Sequence, residues 1–233
     1  MFARRPFTIK TEVPFISFTF DDFPRSALLG GGSILNSYGL RGTYYASLGL
    51  MGKELPTGVM FLAEDLKSLL EQGHELGCHT FGHLDAGATP TSVFEESVLR
   101  NRIELGKVAP NNCFRTFSYP INAPLVRTKQ SVARHFACCR GGGQDLNVGM
   151  ADLNCLRAHF LEKSRDNATA VRGLIERNRR VKGWLILATH DICDTPTPFG
   201  CSLNFFAEIV QYAVDSGARI LPVIEALQAL RHE

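Results

Sequence analysis

The sequence has no run of 18 or more apolar residues, so no segment reads as a membrane span. It has no surplus of charge: 25 Lys and Arg against 23 Asp and Glu leave a net +2, which gives no electrostatic reason for nucleic acid or an anionic membrane surface as a partner. Arg4 and Arg5 are not followed by an apolar stretch, so no signal peptide is read and a cytoplasmic location is expected. CxxC is absent. Seven cysteines, an odd number that includes the vicinal Cys138-Cys139, do not make a disulfide framework, and free or buried thiols are expected. Without a secretion signal the Asn167-Ala168-Thr169 sequon carries no weight. Gly141-Gly142-Gly143 lacks the Lys-Ser/Thr of a phosphate-binding loop and reads as a flexible turn. No linker or low-complexity tract interrupts the chain, so residues 1–233 are read as one catalytic domain.

What is present is alternation. With 45% hydrophobic residues the chain can bury a substantial core. Apolar strand-like runs (13–20, 42–48, 74–78, 113–119, 136–140, 153–159, 184–189, 219–221) alternate with helix-like segments (25–38, 61–72, 91–107, 124–135, 165–181, 204–216, 222–230). About seven or eight βα repeats predict an α/β, barrel-like domain. Gly30-Gly31-Gly32 weakens the first helix, and residues 49–58 read as a loop.

Three places carry chemistry. Val13 to Asp22 is a buried strand ending in Asp21-Asp22, at the end of the sheet where α/β folds place their sites. Adjacent strand residues face opposite ways, so the two carboxylates have different tasks; an N-cap before Pro24 accounts for only one of them. His79-x-x-x-His83 directly follows a strand, and i, i+4 spacing on a helical turn places both imidazoles on one side. With Asp22 they form a two-His, one-carboxylate set suited to a catalytic divalent metal, against the reading of two incidental histidines. His190 ends the apolar strand 184–189 and suits a general acid, against the reading of a core histidine. Asp191 reads as a cap of the following loop, in which Phe199 is placed to stack on a bound ring or to pack. His74, His135 and His232 read as surface residues and His159 as core or surface. Either Tyr44 or Tyr45 faces the barrel interior.

Thr19-Phe20-Asp21-Asp22, His79-Thr80-Phe81-Gly82-His83, Phe117-Ser118-Tyr119-Pro120 and Leu187-Ala188-Thr189-His190 come in an order that resembles the polysaccharide deacetylase family, carbohydrate esterase family four, with its nodulation-factor deacetylase homology domain. The resemblance implies a distorted TIM-like (β/α) barrel of seven or eight strands. It implies Asp21 as general base, Asp22, His79 and His83 as metal ligands and His190 as general acid. It also implies an oxyanion or substrate site drawn from Tyr119, Pro120, Ile121, Arg140 and Phe199. The implied reaction is removal of an N-acyl, chiefly acetyl, group from an amino sugar by attack of metal-bound water. Zinc is the implied metal, with cobalt, nickel or iron compatible; the partner is an N-acylated carbohydrate or small amide, and no oligomeric state is read. Alternatives are the same chemistry on a formamido sugar or ureide, as in allantoinase-like relatives, and a non-catalytic sugar-binding barrel. The sequence departs from the family pattern at Phe23, where Gly is usual, and at Ser118, where Arg is usual. Ile121-Asn122 replace an aromatic and Gly. The element that supports the catalytic His is sought among Arg140, Asp145, Asp152 and Arg157.

Overall fold

Six consecutive buried residues, Phe15–Phe20, form strand β2, around which the computed structural model is built; residues 3–164 and 167–232 are described. The start of the fifth expected helix, at Arg165, lies outside the described residues, as do Met1 and Phe2. A strand apolar on both faces belongs inside a parallel sheet, covered on both sides. β2 pairs along its whole length with β11 (Trp184–Thr189), from Trp184 opposite Phe15 to Thr189 opposite Phe20. The ring then runs through β10 (Leu156–Phe160), β8 (Cys138–Gly143), β7 (Thr116–Ser118), β6 (Glu75–Cys78) and β3 (Thr43–Ala46), all parallel, and returns to β2. Seven strands close the barrel. An eighth, β12 (Arg219–Ile220), shares the edge of β2 with β3: it pairs with Phe15 and Ile16 while β3 pairs with Thr19 and Phe20.

Helices α1 (Ser33–Ser37), α2 (Ala63–Glu71), α3 (Thr91–Val108), α4 (Val126–Val132), α5 (Ala168–Val181) and α6 (Leu203–Asp215) surround the ring, and α7 (Val223–His232) follows β12. Strand alternation divides the core in two. Ile16, Phe18, Phe20, Tyr44, Phe117, Leu185 and Leu187 pack outward with helix residues such as Phe94, Phe206 and Ile209. Phe15, Cys138, Leu156, Ala158, Trp184 and Ile186 form a second cluster with Val223, Leu227 and Leu230 of α7. Tyr45, on the face opposite Tyr44, lies inside the ring, and Gly77 makes room for it: a Cβ there would come within 2.4 Å of the Tyr45 ring.

Four local features differ from expectation. The first helix contains a π-helical segment, Ala27–Gly32, and its glycines permit close approach. A Cβ on Gly30 would meet the Ile192 carbonyl oxygen at 2.4 Å, and one on Gly31 the Phe20 ring at 2.8 Å. The expected loop 49–58 carries a small hairpin, β4 (Glu54–Leu55) with β5 (Gly58–Val59). β1 (Pro6–Ile9) and β9 (Gly149–Asp152) form an antiparallel pair outside the barrel, joining segments more than 140 residues apart. His74 is buried rather than on the surface: its Nδ1 accepts from the Gly42 amide at 3.0 Å, and burial lowers its pKa to about 4.

Candidate active site

The inward parity of each strand continues past its C-terminal end, and that carries the polar groups into the barrel mouth. Asp21 follows Ser17 and Thr19 of β2, and its amide donates to the Thr189 carbonyl at 2.9 Å. The chain then turns left-handed at Asp22 (φ 62°) and Phe23 (φ 58°). That turn sends the two neighbouring carboxylates to different partners. Phe23 adopts a conformation in which Gly is usual, at a cost of roughly 1–2 kcal/mol. Its buried ring stacks on Phe61 with centroids 4.7 Å apart, which offsets that cost.

Asp22 faces two imidazoles. Its Oδ1 lies 2.9 Å from His83 Nε2 and 3.5 Å from His79 Nε2, and the three ligand atoms fall within 4.8 Å of one another. Residues 79–83 do not form the expected helical turn. Thr80 (φ 61°) and His83 (φ 53°) are left-handed, and this irregular loop brings the rings to 5.0 Å. The buried Asp22 Oδ1 makes no hydrogen bond, while Oδ2 accepts from Thr57 Oγ1 at 2.9 Å. His79 Nδ1 lies 2.8 Å from the Ser118 carbonyl, to which only N–H can donate, so neutral His79 turns its Nε2 lone pair toward the carboxylate. The Nε2 lone pair of neutral His79, the Nε2 of His83 and a carboxylate oxygen without a hydrogen bond converge in a buried space, and with both imidazoles neutral this donor set fits a divalent cation.

Asp21 has a different partner. Arg140, 1% exposed, donates from Nη2 both to Asp21 Oδ1 and to Ser118 Oγ (2.6 Å), and from Nη1 to the Gly141 carbonyl at 3.0 Å. Its guanidinium lies 5.1 Å from the Tyr45 ring centroid and 5.3 Å from that of Phe160. Burial pushes the Asp21 carboxyl up, but the opposing charges, the Arg140 guanidinium foremost, outweigh it and hold the group below the ordinary carboxylate range.

His190 continues β11. Its Nδ1 lies 3.1 Å from the Phe199 carbonyl, which leaves Nε2 as its free nitrogen, and its ring stacks on Phe160 at 6.2 Å. Asp191 is buried and accepts from the Thr197 amide (2.7 Å) and hydroxyl (2.6 Å), closing the loop that presents Phe199. A cavity of about 1030 Å³ joins these groups: Asp21, Asp22, His79, His83 and His190 line it, with Tyr119, Ile121, Phe160, Glu162 and Phe199. Ile121 (φ 63°) is 65% exposed there. Of the nine non-glycine positions with positive φ among the described residues, Asp22, Phe23, Thr80, His83, Ile121 and Gln144 surround this mouth, so the backbone strain is concentrated at the site.

A polysaccharide deacetylase family model matches residues 8–136, more than half of the chain. The chain belongs to the polysaccharide deacetylase family. Solved structures of this family share its barrel. The carbohydrate esterase domain of a multidomain xylanase from the hindgut metagenome of Trinervitermes trinervoides aligns at TM-score 0.63 and 17% identity, over 94% of this chain and 91% of that one. Bacillus subtilis PdaA, a family 4 carbohydrate esterase, aligns at 0.63 and 12%, over 96% and 84%. The Bacillus anthracis pseudoenzyme BA3943 aligns at 0.65 and 9%, over 93% of this chain and 66% of that one. No curated protein matches the sequence.

Against this family pattern, the structure places Asp21, Asp22, His79, His83 and His190 together, with Tyr119, Ile121 and Phe199 around them. Pro120 is buried and does not line the cavity; its carbonyl accepts from the Asn122 amide at 2.8 Å. Arg140 does not line it either, so it reaches Asp21 and not a substrate. It pairs with Asp21 from β8, while Ser118 on β7, at the position where the family pattern has Arg, accepts a hydrogen bond from it. Asp145, Asp152 and Arg157 leave His190 alone; Asp145 pairs with Arg157 (2.8 Å) and Arg177 (3.0 Å). Two residues escaped the sequence reading. Thr57 left no signal, since its partner is 35 residues away. Glu162, whose carboxyl burial pushes up, sits just past β10, where a strand-end rule could have flagged it.

Proposed function

We propose that the chain is a metal-dependent amide hydrolase that removes an N-acyl group, acetyl in the first instance, from an amino sugar or a related small amide. One observation carries the reading: two adjacent carboxylates are divided between two environments. Asp21 is held ionised by Arg140, while Asp22 turns an oxygen without a hydrogen bond toward two imidazoles. Asp22, His79 and His83 would hold the cation, which when bound polarises the acyl carbonyl and lowers the pKa of a water.

The rest of the reaction falls to the chain. Asp21 takes a proton from the attacking water, and Arg140 behind it keeps the carboxylate oriented and charged. The backbone amide of Ile121, on a left-handed turn at the cavity wall, would donate to the developing oxyanion. The free Nε2 of His190 gives a proton to the leaving amine as the C–N bond breaks. Phe160 and Phe199 flank that imidazole and restrict water around it.

The likeness to a pseudoenzyme favours a second reading, a sugar-binding barrel without turnover. One experiment separates the two: metal content and turnover of N-acetylated amino sugars, formamido sugars and ureides, for the unsubstituted protein and for Asp21→Asn. The hydrolase loses roughly 10²–10⁴-fold in turnover on Asp21→Asn while keeping its metal. A protein that holds metal and binds sugar, yet turns over none of these substrates, is the binding barrel.

A further inference from the structure

We propose that Thr57, at the tip of the β4–β5 hairpin, is a positioning residue of the metal centre: its hydroxyl holds one oxygen of Asp22 and so presents the other alone to the cation. The inference rests on reading Asp22, His79 and His83 as the ligands. Thr57 Oγ1 donates to Asp22 Oδ2 at 2.9 Å, and the residue is only 7% exposed although it lies in a two-residue turn. The hairpin does not need this bond to stand. The Met60 amide donates to the Lys53 carbonyl (2.8 Å), Phe61 to Phe23 (3.1 Å) and Gly52 to Phe61 (3.0 Å), which fastens the base of the hairpin to the segment just after Asp22. The tip hydroxyl is therefore left to act on the carboxylate.

Its effect on the ligand follows from the local chemistry. Asp22 sits on a left-handed turn beyond the end of β2, so no strand ladder fixes its carboxylate. A carboxylate free to rotate can offer either oxygen or both. With Oδ2 engaged by Thr57, Oδ1 is the oxygen that faces His79 and His83. Neighbours of this kind set ligand orientation, and their loss weakens metal binding by about 10–100-fold. The same hairpin contributes Leu55 and Pro56 to the cavity wall, so one element shapes the cleft and steadies the ligand.

The test compares the full chain with Thr57→Val, which keeps the shape and loses the hydroxyl, and Thr57→Ser, which keeps the hydroxyl. Zn²⁺ affinity is measured against a competing chelator, and the visible spectrum is recorded with Co²⁺. Thr57→Val is expected to lose about 10–100-fold in Zn²⁺ affinity and to shift the Co²⁺ spectrum, with metal-free thermal stability little changed, while Thr57→Ser stays close to the unsubstituted protein. If Thr57→Val binds Zn²⁺ as tightly as the unsubstituted protein, the positioning role is wrong and the ligand set stands. If the unsubstituted protein binds no Zn²⁺ or Co²⁺, the ligand set falls and this role with it. Should Thr57→Val not fold, Thr57→Ala replaces it, with the same two outcomes.

Discussion

The two ends of the barrel each enclose a carboxylate, Glu75 in part and Asp22 fully, and treat them in opposite ways. At the N-terminal end, Glu75 accepts from Thr43 Oγ1 (2.8 Å), Thr116 Oγ1 (2.5 Å) and the Ile224 amide (3.0 Å), and the Val223 amide donates to Thr43 Oγ1. Glu75 thus ties β3 and β7 to the first turn of α7, and its hydrogen-bonding capacity is taken up by the fold. At the mouth, Asp22 Oδ1 makes no hydrogen bond to the scaffold and faces only the two imidazoles, and the surrounding backbone is left-handed at six non-glycine positions. A buried polar group that the fold has satisfied serves the fold; one that the fold leaves unsatisfied is held ready for something else. The difference also predicts opposite pH signatures. Asp21 has a lowered pKa, so its contribution to stability is present above the unfolded value near 3.9 and lost as pH falls through the folded value. Glu75 has a pKa raised by burial, so its contribution is present below the unfolded value near 4.3 and lost as pH rises through the folded value.

The sharpest way to break the contrast is at the mouth. His79→Ala is expected to reduce Zn²⁺ affinity by more than about 100-fold, beyond the range for supporting residues, with the barrel intact by circular dichroism. Retention of tight Zn²⁺ binding would show that the orphaned oxygen at Asp22 has another purpose. Next comes Arg140→Met, which leaves Asp21 buried without its countercharge. It should cost about 3–5 kcal/mol in denaturant unfolding, and because burial then acts unopposed, the acid limb of the turnover–pH profile should move to higher pH. An unmoved limb would mean that Arg140 does not set the ionisation of Asp21. The smallest effect is expected at the floor. Glu75→Gln should abolish the fall in stability that accompanies its ionisation as pH rises, followed by denaturant unfolding against pH, with metal content and turnover unchanged. A drop in turnover comparable to that of a mouth substitution would dissolve the division between the two ends.

The strands that deliver site residues were legible in the sequence because each is a short apolar run with chemistry at its end. Residues 184–189 matched to the residue, and Asp21, Asp22, His79, His83 and His190 line one cavity. What sequence could not supply is geometry that depends on residues far apart. The HxxxH spacing suggested a helical turn, whereas Thr80 and His83 in left-handed conformations bring the rings together. Gly30-Gly31-Gly32 reads as weak helix, but its purpose is contact with Ile192 and Phe20 from other elements. The β1–β9 pairing is antiparallel and non-local, so no βα pattern reveals it. Arg140 was one of four candidates for supporting a histidine; only the register of β8 beside β7, with Arg140 opposite Ser118, shows that it supports Asp21.

That register makes the arginine and the serine a coupled pair. Introducing Arg at Ser118 alone would press a second guanidinium against the first in a closed interior, and removing Arg140 alone would strand the general base. Each single substitution therefore damages the interior, while a double substitution that exchanges the two residues is expected to cost less than the sum of the single ones, the mark of an energetically coupled pair.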